Sequence, residues 1–90
     1  MRVARRYLIS GRVQGVGFRY TVRSIAKRHP VHGYVRNLTD GSVELMAQGA
    51  AHAINDLVLE ISQTFSGNIV RCDRAAVDEP ESFTRFEIRH

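Results

Sequence analysis

The stretch GRVQGVGFRY, Gly11 to Tyr20, places glycines at 11, 15 and 17 and then an arginine at 19. Glycine lets backbone take positive φ and come close to a ligand. Successive N–H groups in such a loop can converge on an anion. A helix starting just after the loop would add unpaired N–H groups and a partial positive charge. Arg19 would stand at that junction with a planar fork of donors for phosphate oxygens. The chemistry these residues suit is the holding of a phosphate or similar anion. Two familiar phosphate loops do not fit. Gly17-Phe18-Arg19 stands where a P-loop needs Gly-Lys-Ser/Thr. The dinucleotide fingerprint needs the short glycine gap first, inside a parallel βαβ unit.

A second stretch, GYVRNLTDGSVELMAQG (Gly33–Gly49), contains Asn37 just before an Asp-Gly turn. Asparagine is a common turn residue. Its amide also both donates and accepts, so it can orient a water without titrating. Should the first two strands be neighbours, the Arg19 loop and Asn37 would share one end of a sheet.

The elements that must position these residues follow from periodicity. Val3 to Ser10 reads as a strand feeding the loop. Val22, Ile25, Ala26 and His29 recur at helical spacing, predicting a helix from Tyr20 to about Arg28 that Pro30 ends. Val31 to Leu38 is a second strand, and Asp40-Gly41 signals a hairpin. In the third strand Val43, Leu45 and Ala47 share one face and Glu44, Met46 and Gln48 the other, with Gly49 expected to break it. Ile54, Leu57, Val58, Ile61 and Phe65 form a helical stripe, opposite Asp56, Glu60 and Gln63, and Gly67 is the expected C-terminal cap. Ile69 to about Val77 is a fourth strand. DEPES turns the chain, and Phe83 to Arg89 is a short fifth strand, with Phe86 and Ile88 on one face. The order is βαββαβ plus a terminal strand: an α+β, ferredoxin-like split βαβ sandwich, with an antiparallel sheet and two helices on one face.

The chain has 90 residues, which predicts one domain, 1–90. No apolar run approaches the roughly 20 residues of a membrane span. The N-terminus MRVARRYLIS is too short and polar for a secretory signal. With a single cysteine, Cys72, read as a small buried hydrophobe, this fits a reducing cytoplasm. The net charge of +4 is carried mostly by arginine, Lys27 being the only lysine, which suits phosphate or carboxylate partners. Arg2, Arg5 and Arg6 read as edge-protecting charge or as attraction for an anionic substrate.

The stretches ISGRVQGVGFR (Ile9–Arg19) and GYVRNLTDGSVELMAQG together resemble the two signature motifs of the acylphosphatase family. The resemblance implies a cofactor-free hydrolase, an acylphosphatase, that cleaves the carboxyl-phosphate anhydride of small acyl phosphates. Inorganic phosphate would be its product and competitive inhibitor. Arg19 would hold the phosphate. The loop amides of Arg12, Val13, Gln14, Gly15, Val16 and Gly17 would cradle its oxygens. Asn37 would hold the attacking water, and Ser42 would support the site. Leu38 stands where relatives often carry a hydroxyl residue, and Pro30 replaces the usual glycine or leucine at the helix exit.

Other classes of function fare less well. His29, His32, His52 and His90 lack the carboxylate or cysteine companions of a known metal spacing, so no metal is expected. Glu44, Asp56 and Glu60 make no convincing acid/base pair. RNA binding would need aromatic platforms on the central strands, and only Tyr34 is a candidate. A non-catalytic or carbamoyl-phosphate-processing module is the remaining alternative, since similar domains begin the hydrogenase-maturation carbamoyltransferases. The chain ends at His90 without a zinc-finger or transferase extension, which favours a free-standing, monomeric enzyme.

Overall fold

The computed structural model describes residues 2–77 and 81–90. Five strands, β1 (Arg2–Gly11), β2 (Val31–Asn37), β3 (Val43–Ala50), β4 (Ile69–Ala76) and β5 (Phe86–Arg89), form one sheet in the order β4-β1-β3-β2-β5. Two helices, α1 (Phe18–Ala26) and α2 (Ala51–Thr64), make the split βαβ crossovers. Every pairing among the first four strands is antiparallel, as expected, but β5 adds to the edge of β2 in parallel.

Each helix buries its apolar stripe on the sheet. Phe18, Val22, Ile25 and Ala26 do so for α1, and Ala53, Ile54, Leu57 and Ile61 for α2. They meet Ile9, Val35, Val43 and Leu45 from the sheet in one core. Phe18 and Phe65 join the two helices with ring centroids 4.6 Å apart.

β1 and β2 are not neighbours; β3 lies between them. Their ends nevertheless coincide, because Val43 pairs with Ile9 on one side and with Asn37 on the other. Two strand spacings put Ile9 and Asn37 roughly 10 Å apart. β1 is therefore interior, which removes an edge-protecting role for its arginines. Arg5 Nη1 donates to Asn55 Oδ1 on α2 at 2.7 Å, and Arg6 pairs with Glu44 on the opposite face.

Several element ends differ from the sequence reading. Gly17, at φ 73°, breaks the chain so that α1 starts at Phe18. Before Pro30 the helix tightens into turns, with Arg28 N–H bonding to the Ile25 carbonyl. Gly49 continues β3 instead of ending it; a Cβ there would lie 2.8 Å from the Pro30 carbonyl oxygen. Gly67 is not a left-handed cap, since α2 ends on Phe65, whose carbonyl accepts from the N–H groups of Asn68 and Ile69. Cys72 is exposed on the edge strand β4, not buried. The DEPES turn falls mostly on 78–80, outside the described residues. β5 starts only at Phe86, because Phe83 crosses to the face away from the helices and packs on Tyr34, ring centroids 5.8 Å apart. Glu60 is no merely solvated residue: it pairs with Arg28 and with His29 Nε2 at 2.8 Å, tying α2 to the exit of α1.

The face without helices is closed by a polar and aromatic cluster. Arg89 lies 4.2 Å from the Tyr34 ring centroid, leaving Tyr34 only 7% exposed. The stacking platform that RNA would need is therefore covered. Glu44, 3% exposed, sits between Arg6 and Arg36, with Arg36 Nη2 at 2.7 Å. Burial alone would raise its carboxyl pKa, but hydrogen bonds from Arg6 and Tyr34 and the charges of Arg36 and Arg6 outweigh it and hold the group below its ordinary value of 4.5. Burial, reinforced by this carboxylate, pushes the Tyr34 hydroxyl up.

Two outcomes follow for stability. Gly33 has φ 149°, and a Cβ would overlap the Met46 carbonyl oxygen across β2–β3. Gly33→Ala should cost about 3 kcal/mol or more, read as a lowered urea midpoint. A depressed carboxyl contributes stability above its unfolded pKa and loses it as pH falls through the folded one. Wild type should therefore lose thermal stability as pH drops below 4.5, whereas Glu44→Gln, less stable at pH 7, should show a flatter acid limb in the same melts.

Candidate active site

The loop from β1 to α1 is held at both ends by buried apolar side chains, Val13 at 1% and Phe18 at 2% exposure. Between them the chain stands out from the core, with Gly15 at φ 76° and Gly17 at φ 73°. A Cβ at either would meet nothing within 4 Å, so glycine is needed there for its left-handed backbone and not for room. The N–H groups of residues 13–17 make no hydrogen bond among the described residues. The first intrahelical bond of α1 runs only from Thr21 to Gly17, so the amides of Phe18, Arg19 and Tyr20 are also free. α1 has no side-chain cap and no acidic residue in its first turn. Within that first turn, then, no side chain competes for an anion.

Arg12 is placed differently from the rest of the predicted cradle. Its N–H donates to the Asn68 carbonyl at 2.8 Å, and its carbonyl accepts from Asn68 Nδ2 at 3.0 Å. That amide is used by the fold, so the free run begins at Val13.

A cavity of about 220 Å³ is lined by Val13, Gly15, Gly17, Phe18, Arg19, Tyr20 and Asn37. Arg19 is half-buried, and its Nη1 reaches the Arg89 carbonyl at 3.4 Å and His90 Nδ1 at 3.3 Å. The end of β5 thus orients the guanidinium, a role that no periodicity in the sequence signals. Asn37 Oδ1 is buried without a hydrogen-bond partner among the described residues. A buried acceptor left open is costly unless it serves a ligand or water. A larger groove of about 640 Å³, between α1, β2 and β5, includes neither Arg19 nor Asn37 in its wall. The smaller cavity is the one bordered by the glycine loop, the arginine and the open acceptor together.

Gln14 and Ser42 act through the β2–β3 turn. Gln14 Nε2 donates to the carbonyls of Leu38 and Ser42, both at 2.9 Å, strapping the loop to the turn beside Asn37. Ser42 Oγ donates to Asp40 Oδ1 at 2.5 Å, and its N–H does so at 2.9 Å. These bonds hold the Asp40 carboxyl below its ordinary value. Neither Gln14 nor Ser42 lines the cavity. Gln14 is the positioning residue that reading the loop only for its amides overlooks. The four histidines do not assemble either: among the described residues no three His, Cys, Asp or Glu side chains stand close enough to hold a metal ion.

A ferredoxin-like sandwich with a loop of unpaired amides at one sheet end defines a small α+β domain. The acylphosphatase family model matches residues 5–88, and the chain belongs to the acylphosphatase family. It is 42% identical over 83 residues to the acylphosphatase of Methanospirillum hungatei, covering 91% of each chain. The acylphosphatase crystal structure from Bacillus subtilis superposes with a TM-score of 0.88 at 34% identity, covering all of both chains. The full-length HypF structure in its phosphate- and nucleotide-bound form matches all of this chain but 12% of its own length, with a TM-score of 0.85 at 27% identity. These likenesses make the protein an acylphosphatase enzyme, of a family of hydrolases that acts on small acyl phosphates. No helix among the described residues is long and apolar enough to cross a membrane.

Removing the Gln14 strap should loosen the site more than the fold. Gln14→Ala should cost about 1–2 kcal/mol in urea unfolding and lower acyl phosphate turnover by roughly 10–100-fold, through misplacement of Asn37 against the loop.

Proposed function

We propose that this cavity hydrolyses acyl phosphates by in-line attack of water on phosphorus, without a metal. The free amides of residues 13–17 and the first turn of α1 hold the non-bridging oxygens, and Arg19 completes the grip. The unpartnered Asn37 Oδ1, buried in the same wall as Arg19, carries this reading. It accepts a hydrogen bond from the attacking water and aims the water's lone pair at phosphorus. The water oxygen bonds to phosphorus, the bond from phosphorus to the acyl oxygen breaks, and the carboxylate leaves with that electron pair. One water proton goes to solvent.

The physics supports this division of labour. A carboxylate is a good leaving group, so the water needs placement more than a strong base. Phosphoryl transfer depends on position and on stabilising charge over the equatorial oxygens. Preformed N–H donors and a guanidinium do that without reorganisation. In this reading residues 1–90 act as one monomeric domain in the cytoplasm, and inorganic phosphate, the product, competes for the cradle. The likeness to HypF favours a second reading, an anion-binding module serving a larger reaction.

Hydrolysis of benzoyl phosphate in EDTA separates the two. Wild type should turn over and be inhibited competitively by phosphate. Arg19→Ala should lose about 10²–10³-fold or more, and Asn37→Ala most of its activity, both with wild-type circular dichroism. Near wild-type rates in both variants would remove the mechanism. A folded wild type that binds phosphate without turnover would support the module.

A further inference from the structure

The cavity is smaller than the roughly 300–1,000 Å³ of sites that enclose a whole drug-sized ligand. With the phosphate inside it, the acyl group must cross the rim. In-line displacement further restricts its path, because the leaving carboxylate departs on the side of phosphorus opposite the water. That excludes the Asn37 wall and the groove of Arg36, Leu38 and Thr39 beyond it. Of the remaining lining residues, Val13 and Phe18 are buried in the core, and Gly15 and Gly17 have no side chain. Arg19 is committed to the phosphate. Tyr20 is left.

Tyr20 is a large apolar side chain lying 60% exposed, although it lines a cavity. It is not a member of the core cluster. It is also braced: the Arg23 guanidinium lies 5.4 Å from the ring centroid, one turn along α1. An exposed aromatic, held in place beside the reacting group and unused by the fold, is a ready platform for a flat apolar surface.

Resting on the catalytic reading above, we propose that Tyr20 is a specificity-determining residue whose ring packs against the acyl group, so that the enzyme favours aromatic and bulky apolar acyl phosphates over small ones. Its side chain binds substrate and takes no part in bond making, so its effect belongs in KM and scales with the acyl group.

The test compares benzoyl phosphate with acetyl phosphate on wild type, Tyr20→Phe and Tyr20→Ala. Tyr20→Ala should raise KM for benzoyl phosphate about 3–10-fold more than for acetyl phosphate, as expected for losing one aromatic contact, with kcat changed little by comparison. Tyr20→Phe should keep the wild-type ratio. An equal change for both substrates, or none, would overturn the proposal while leaving the catalytic reading in place. Absence of turnover in folded wild type on either substrate would overturn that reading and this proposal with it.

Discussion

β3 lies between the two strands that lead into the candidate site, and its first residue pairs with both. Val43 aligns Ile9, two residues before the glycine loop, with Asn37, the last residue of β2. This double pairing turns two sequence stretches about twenty residues apart into facing walls of one cavity. A slip of one residue in the β2–β3 register would turn Asn37 to the other face of the sheet, and a slip in the β1–β3 register would do the same to Ile9 and shift the loop that follows it. The backbone ladder also fixes the distance across the site more firmly than side-chain contacts could.

Around that alignment, each loop is tied down by groups that do no chemistry. Val13 and Phe18 sink into the core on either side of the free amides. Gln14 straps the loop to the β2–β3 turn, and Asp40 and Ser42 close the turn on itself. The Arg89 carbonyl, at the end of β5, receives Arg19. The Arg89 side chain meanwhile stacks on Tyr34 and pairs with Glu81 on the face away from the helices. One residue thus couples the covering of the sheet to the aim of the guanidinium. The amides themselves stay unpaired, and a site preorganised in this way does little rearranging when charge arrives.

The buried carboxylate of Glu44 belongs to the scaffold. Taking a carboxylate out of bulk water is costly unless oppositely charged partners stand close to it. Arg6 from β1 and Arg36 from β2 supply those partners, so the three central strands are cross-linked on the face that lacks helices. Arg36 immediately precedes Asn37, and this pairing restrains the strand end that carries the open acceptor.

Much of this was legible in the chain alone. Periods of two and of 3.6 in the apolar residues are local properties, so the order βαββαβ, the two helices and the terminal strand could be read directly. The positive-φ demand at Gly15 and Gly17 is also local, and the two motifs marked Arg19 and Asn37 as the pair to watch. Long-range placement was not legible. Nothing near Cys72 says that β4 is an edge strand, and nothing near Gly49 announces the Pro30 carbonyl that takes the place of its side chain. Phe83, read as the start of the last strand, lies ahead of β5 and packs instead on Tyr34 on the face without helices. Arg12 looks like a member of the loop, but its amide is claimed by Asn68, more than fifty residues away. The sequence by itself determined which residues could grip a phosphate, because residue type and backbone permission are encoded where they stand. Only the tertiary structure decided which amides stay free, how Arg19 is aimed and that Asn37 keeps an open acceptor, because each depends on partners brought in by strand pairing.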